Sequence, residues 1–406
     1  MRRSVLALVL LLVAGCSAGG ESPIGTGVPT PPPTPGIATT APAPAATPEI
    51  RVQEVATGLE HPWDIGFLPD GSALVTERPG RITMLSSTDP GATVTGVEAD
   101  LTDVYVEGEG GLMGLVVHPD FAQSRRFTTC QTHQRGGEPV DVRLVTWELS
   151  RDGIAATRVA DPLVGGLPIN PSGRHSGCRP EIGPDGALYV GTGDTARGDI
   201  AQELTSLGGK VLRVDLDTGA PAPGNPFLAA PDPATRLIYT YGHRNVQGLA
   251  VQPGTDRIFA AEHGPDESDE INLLRPGRNY GWDPSQGGTV SDYDESVPMT
   301  DLQRFPNAVP AVWDSGESTE AICGAAFLDG EQWGSMDGLL AVAALAGQEL
   351  LLMRVEQDAT ITEVGQLPEL DGAYGRLRAA RLGPDGALYV TTSNGDDDKV
   401  LRIAPG

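Results

Sequence analysis

One eight-residue phrase occurs twice in this chain. Gly183–Val190 reads GPDGALYV, and Gly383–Val390 reads GPDGALYV again. Phe67–Thr76, FLPDGSALVT, is a looser copy. Each copy encodes a strand end, a Pro-Asp-Gly turn and a second strand rich in Leu, Tyr and Val. Pro presets the turn's first dihedral, and Gly supplies the positive φ at its end. Related strand starts lie at Gly111–His118, Gly248–Pro253 and Gly324–Leu328. Six strand-turn-strand units then begin near residues 63, 111, 178, 247, 323 and 378. A turn motif recurring every 45 to 75 residues fits an all-β fold, a six-bladed β-propeller, better than paired β-sandwiches. With 53 Gly and 35 Pro the chain disfavours long helices. Only Ile200–Ser206 and Ala343–Ala346 read locally as helix.

The chain starts MRRSVLALVLLLVAGC: two arginines, a short apolar run from Val5 to Val13, small residues, then Cys16. That is the layout of a secretory signal, expected over residues 1–15. The Val-Ala-Gly-Cys ending resembles a bacterial lipobox, which makes Cys16 the lipidated first residue of the mature chain. Residues 16–49, rich in Pro, Thr, Ala and Gly, read as an extended tether, and the folded domain as 50–406. The expected location is the extracytoplasmic side of the cell membrane, held by lipid alone. The 54 acidic against 28 basic residues give a net charge of −26, which repels phosphate backbones and argues against nucleic-acid binding. Only Lys210 and Lys399 are lysines.

An exported domain tolerates disulfides. Cys130 ends the second strand of the second unit and Cys178 begins the third, so adjacency makes Cys130–Cys178 the more feasible pair and leaves Cys323 free. Three buried thiols are the alternative. No CxxC pair, haem CxxCH motif or zinc spacing occurs.

In a propeller the first strand of each blade lines the central channel, so loops feeding those strands converge on one mouth. They carry unusual polar residues: EGEGGLMG (107–114), RHSGCRPEIGPD (174–185), YGHRNVQG (241–248) and GRLR (375–378). A further run, EHGPDESDEINLLRPGRNYGW, covers 262–282. Together these segments resemble the soluble PQQ-dependent aldose sugar dehydrogenases, the glucose/sorbosone dehydrogenase family, over roughly residues 52–404. The resemblance implies a six-bladed propeller that oxidises an aldose at C1 to a lactone and passes electrons to an external acceptor. It places His175 as catalytic base, and Arg244, Asn245, Arg376 and Arg378 as PQQ contacts. It puts Glu109 on the substrate side. The carbonyls of Gly264 and Pro265 would hold the cofactor's calcium, and Glu270 and Tyr280 a structural calcium ion. Histidine suits the base because its pKa lies near neutral pH, and a guanidinium fork suits a tricarboxylate. Arg376 and Arg378, two apart on a strand, would face one anion together.

Two features depart from the family pattern. Ala346 stands where the family has a PQQ-binding Lys, which removes a contact worth about 1.5–3 kcal/mol. Arg174 precedes His175, and a cation there would lower the histidine's pKa. Two other functions stay open: a non-catalytic propeller binding a glycan or protein, which the missing Lys favours, and a calcium-dependent lactonase. The lactonase needs carboxylates and Asn at the channel, where the sequence offers mainly His and Arg.

Overall fold

The computed structural model describes residues 46–285 and 292–406. The signal segment, Cys16 and most of the tether lie outside the described residues. Strand β1 (Ile50–Leu59) opens the domain. Blade 1 follows as β2 (Pro62–Phe67), β3 (Ala73–Glu77), β4 (Arg81–Leu85) and β5 (Val94–Val97). Blade 2 is β6 (Leu112–Val117), β7 (Arg126–Arg135), β8 (Glu138–Leu149) and β9 (Ala156–Leu167). Blade 3 is β10 (Arg179–Ile182), β11 (Leu188–Gly191), β12 (Lys210–Val214) and β13 (Ile238–Tyr241). Blade 4 is β14 (Val246–Val251), β15 (Ile258–Glu262), β16 (Glu270–Leu273) and β17 (Trp313–Asp314). Blade 5 is β18 (Ile322–Phe327), β19 (Leu340–Ala344), β20 (Leu350–Val355) and β21 (Ile361–Gln366). Blade 6 is β22 (Leu377–Leu382), β23 (Leu388–Thr392) and β24 (Asp398–Pro405), completed by β1, which pairs antiparallel with β24 from Ile50–Pro405 to Leu59–Asp398. The fold is the expected six-bladed propeller. The six inner strands begin within a residue of the positions read from the repeats.

The two copies of GPDGALYV fold identically, for reasons their residues dictate. Gly186 N–H donates to Gly183 O and Gly386 N–H to Gly383 O, both at 2.9 Å, closing the Pro-Asp turn. Gly186 and Gly386 take φ of 75–76°, which a side chain would strain. Asp185 accepts from Ala187 N–H (3.1 Å) and the Tyr189 hydroxyl (3.1 Å); Asp385 accepts from Ala387 N–H (3.2 Å) and Tyr389 (3.1 Å). An arginine two strands out, Arg213 or Arg402, pairs each aspartate. The two stretches that read as helix are not helical. Residues 200–206 form turns, and Leu340–Ala344 is the buried strand β19, where packing between two blades overrides alanine's helix propensity.

Apolar clusters fill the gaps between successive blades. Val55, Ile65, Val75, Tyr389 and Val400 join blade 6 to blade 1; Leu74, Leu112, Phe127 and Trp147 join blade 1 to blade 2. Inner strands are buried on both faces, whereas β21 on the outer edge is mostly exposed. Near the axis there is no room for a side chain: a Cβ on Gly248 would lie 2.1 Å from Cys323 O. Cys130 and Cys178 are joined through their sulfurs across blades 2 and 3, and Cys323 is free and buried.

The channel wall also holds a buried ion cluster. Asp64 on β2 accepts from Arg179 Nη1 (2.6 Å), Arg381 Nη2 (2.8 Å), Arg381 Nε (2.9 Å), Leu115 N–H (3.1 Å) and Ile65 N–H (3.0 Å). Arg179 donates to Gln247 O (2.8 Å) and lies 4.1 Å over the Trp63 ring; Arg381 also pairs with Glu181. One carboxylate thus ties together residues of blades 1, 2, 3, 4 and 6. Burial opposes its ionisation, but Arg179 and Arg381 outweigh burial and hold its pKa below the usual carboxylate range. Removing one member of such a cluster strands buried charge. We therefore expect Asp64→Ala to lose about 3–5 kcal/mol of stability, read from the urea midpoint. A change below about 1 kcal/mol would show that the cluster does not support the ring.

Candidate functional site

Loops preceding the inner strands meet at one mouth of the channel, as the sequence led us to expect. Glu109, before β6, is the first junction. Its carboxylate accepts from His175 N–H (3.1 Å), Asn245 Nδ2 (3.0 Å) and Gln247 Nε2 (3.4 Å). Asn245 Oδ1 in turn accepts from Gly177 N–H (3.1 Å). Burial raises the Glu109 pKa, but His175 and these donors outweigh it and hold the carboxyl below its ordinary value. Three candidates from blades 2, 3 and 4 are thereby brought into contact.

His175 sits in the left-handed region at φ 50° and is buried. Its Nδ1 lies 2.7 Å from Asp194 Oδ1 and 3.2 Å from the Tyr293 hydroxyl. Asp194 also accepts from Trp282 Nε1 (2.7 Å), Tyr293 OH (2.8 Å) and Ala196 N–H (2.7 Å). Thr195 and Ala196 follow at φ 56° and 52°, so three non-glycine residues in a costly conformation converge here. The ionised Asp194 fixes the proton on Nδ1. Nε2, which has no hydrogen-bond partner among the described residues, is left with its lone pair. Burial, then the Arg244 charge, lower the His175 pKa, with Asp194 opposing. The imidazole therefore stays neutral at pH values where a free histidine would charge.

That lowering corrects one expectation. The cation acting on His175 is Arg244, not the adjacent Arg174. Arg174 turns away to pair with Glu295 and stack over Tyr293 at 5.6 Å. Arg244 is buried and donates to His263 O (2.8 Å) and Glu295 Oε1 (2.6 Å), while its Nε is buried without a partner among the described residues. A second correction concerns Arg376 and Arg378. Arg378 is buried on β22, donates to Gln247 Oε1 (3.1 Å) and lies 5.4 Å over Trp63. Arg376 precedes the strand and is exposed, its N–H held by Asn394 Oδ1 at 2.9 Å. Pairing is irregular between Leu377 and Ala380, so strict two-residue alternation does not carry across.

Gly264 and Pro265 lie in the turn after β15. Asp269 shapes it by accepting from Gly264 N–H (2.8 Å), Glu320 N–H (2.7 Å), His263 Nδ1 (3.2 Å) and Thr319 Oγ1 (3.1 Å). Glu270 is buried beside Glu262 and accepts from Asn272 (3.0 Å) and Thr300 (3.0 Å). Burial and then Glu262 push its carboxyl up to about 8. The Tyr280 hydroxyl is committed elsewhere, donating to Leu273 O at 2.6 Å. Among the described residues no three His, Cys, Asp or Glu side chains are grouped to hold a metal, so a cation at either place would rest largely on main-chain oxygens. Ala346 is exposed. Neither lysine replaces it: Lys210 Nζ is buried on the carbonyls of Ile200, Ala201 and Gly208 (2.7–3.0 Å), and Lys399 pairs with Glu54.

Sequence reading missed Asp194, Tyr293, Glu295 and Arg78. The mouth therefore carries more carboxylate than expected, and both added groups, Asp194 and Glu295, are paired. Asp194 had a signal. It stands four residues past the repeated phrase, where the second copy has Asn394. Both side chains hold a mouth residue, His175 in one blade and Arg376 in the other. Tyr293 and Glu295 come from a loop with no repeat to mark them.

Comparison with known proteins bears on this arrangement. The family model for glucose/sorbosone dehydrogenase matches residues 59–402. The aldose sugar dehydrogenase of Escherichia coli is 30% identical over 364 residues, covering 89% of this chain and 94% of that one. The quinoprotein glucose dehydrogenase B of Acinetobacter calcoaceticus is 30% identical over 265 residues, 59% of this chain and 53% of that protein. The PQQ-bound aldose sugar dehydrogenase of Streptomyces coelicolor superposes with a TM-score of 0.70 at 32% identity, covering 89% and 99% of the two chains.

The charge balance around His175 makes a direct test. Arg244→Gln should move the His175 titration up toward the ordinary value, and Asp194→Asn should move it further down, both followed by NMR of the ring carbons. An unchanged titration in both variants would remove these two groups as its determinants.

Proposed function

The chain belongs to the glucose/sorbosone dehydrogenase family, an oxidoreductase family, and from that premise we propose that it oxidises an aldose at C1 to the lactone. PQQ with calcium serves as cofactor and an external acceptor takes the electrons. The observation that carries this reading is the His175–Asp194 pair with Nε2 unpartnered at the mouth. The donor set fits an anionic quinone: Arg244 with its orphaned Nε, Arg378, exposed Arg376 and the Asn245 amide surround the same opening. When bound, PQQ would supply the two-electron acceptor that no protein side chain provides, and calcium on the Gly264 and Pro265 carbonyls would supply Lewis acidity.

The chain's own residues would do the proton chemistry. His175 Nε2 takes the proton of the anomeric hydroxyl as the carbonyl forms at C1. Asp194 stabilises the imidazolium created, and the Tyr293 and Trp282 donors keep that carboxylate ionised and oriented. Glu109 holds the main chain of His175 and the Asn245 amide, and so sets the distance between base and cofactor contacts. Glu270, a buried carboxyl pushed up to about 8, would be relieved by a structural calcium ion.

The leader and the Cys16 motif support export and lipid anchoring on the extracytoplasmic side. One observation favours a second reading, a propeller that binds a glycan or protein without catalysis: exposed Ala346 leaves the family's lysine contact unmade.

With calcium present, PQQ should bind saturably and aldoses should then reduce a redox dye. His175→Ala should lower turnover about 10²- to 10⁴-fold while leaving PQQ affinity within about threefold. A folded protein that shows no binding at micromolar PQQ would favour the second reading. Calcium should stabilise the wild type, by about 2.7 kcal/mol at 100 times its Kd, seen as a raised melting temperature, and Glu270→Gln should lose part of that gain. No response to calcium in either protein would remove the metal from the proposal.

A further inference from the structure

Several buried or half-buried arginines in this domain have carboxylate partners: Arg179 and Arg381 on Asp64, Arg244 on Glu295, Arg158 on Asp103 and Asp161. In a chain with 54 acidic and 28 basic residues, pairing is the easy outcome. Three arginines at the mouth are different. Arg78, Arg376 and Arg378 make no ion pair among the described residues, and they lie together on the side formed by blades 1 and 6.

Arg78 follows β3 directly, and its backbone is clamped. Its N–H donates to His61 O at 3.0 Å and its carbonyl accepts from Leu112 N–H at 3.0 Å. A Cβ on Gly111 would lie 2.1 Å from that carbonyl, so Gly111 is the residue that lets blade 2 close against it. The half-buried side chain reaches over the mouth and donates from Nη1 to Gly108 O at 2.5 Å, beside Glu109. Nε is buried without a partner among the described residues. A guanidinium has five N–H donors and must lose hydration to sit here, so an anion that accepts from it is the natural complement. The neighbours sharpen the point. Burial lowers the Arg78 pKa first, Arg378 next, and Arg376 adds to it, with only Glu60 and Glu109 opposing. These are cations crowded against one another, which costs free energy unless an anion neutralises them.

We propose that Arg78 is a fourth cofactor-binding arginine. With Arg376 and Arg378 it forms a cluster for the carboxylates of PQQ and supplies the positive charge that Ala346 leaves out of blade 5. This inference rests on the PQQ reading above. Arg78 does not occupy the place of the missing lysine, since blade 6 separates them. It restores the count of cations facing a polycarboxylate, from the opposite flank of the Arg376–Arg378 pair.

The test is a PQQ titration of the purified, calcium-supplemented protein, followed by quenching of tryptophan fluorescence. Arg78→Gln should weaken Kd about 10- to 100-fold with the circular dichroism spectrum unchanged. Arg78→Lys, which keeps the charge and loses the fork, should weaken it about 3- to 10-fold, and it carries the test if the Gln variant does not fold. The wild-type affinity should also fall with added salt more steeply than that of Arg78→Gln. Variants that bind within twofold of the wild type would overturn the inference and leave the PQQ reading standing. Absence of PQQ binding by the wild type would overturn both. A citrate titration followed by melting temperature would then show whether the three arginines take a different polycarboxylate.

Discussion

The buried carboxylate of Asp64 joins groups from more blades than any other interaction described above. Six sheets packed face to face bring their inner strands to a common axis. There the side chains have nowhere to go but toward one another. On the channel wall two carboxylates, Asp64 and Glu181, meet two guanidiniums, and the cluster is joined to main-chain groups from blades 2 and 4. Taking those charges out of water is expensive, and mutual attraction offsets it only when every group has a partner. The cluster therefore specifies the ring: five blades must be in register before Asp64 is satisfied. The pairing of β1 with β24 then closes the circle with a strand from the other end of the domain, leaving no edge between the first and last blades.

The same logic, applied at the mouth, separates holding from binding. Where carboxylates are met by hydrogen-bond donors, as in Asp194 with His175 or Asp269 with the turn at Gly264, the groups are fixed before any ligand arrives. Preorganised polar groups in a poorly hydrated site need no rearrangement when charge develops beside them. On the blade 1 and blade 6 side, Arg78, Arg376 and Arg378 make no ion pair among the described residues, and that excess of positive charge is what the proposed anion would match. A single domain thus contains two kinds of arginine: those paired with carboxylates inside the fold, and those with no ion pair among the described residues, for which a ligand is proposed. Burial alone does not distinguish them, since Arg179 and Arg378 are both buried; the partner does.

Much of this was legible in one sequence, because the responsible interactions are local. A Pro-Asp-Gly turn, with its aspartate accepting from the next strand's N–H and tyrosine, is specified within seven residues, and its recurrence counts blades. His175, Asn245, Glu109 and Arg378 were named from the family resemblance, and propeller geometry, which sends the starts of inner strands to one mouth, is consistent with their meeting there. Arg376 and Arg378 share one side of the mouth, but Arg376 precedes β22 and is exposed while Arg378 is buried on it, a difference that the two-residue spacing does not announce.

The sequence by itself determined the fold class, the number of blades and the residues that open each channel strand, since these follow from turn chemistry and strand periodicity over short distances. Only the tertiary structure decided which charges neutralise one another. Asp194 lies 2.7 Å from His175, Tyr293 reaches both from a loop 118 and 99 residues further on, and Arg244 rather than Arg174 lowers the pKa of the histidine. Such contacts depend on how loops from different blades fold over a shared opening. The free energy of an ion pair there depends on burial and distance, neither of which is a property of any segment taken alone.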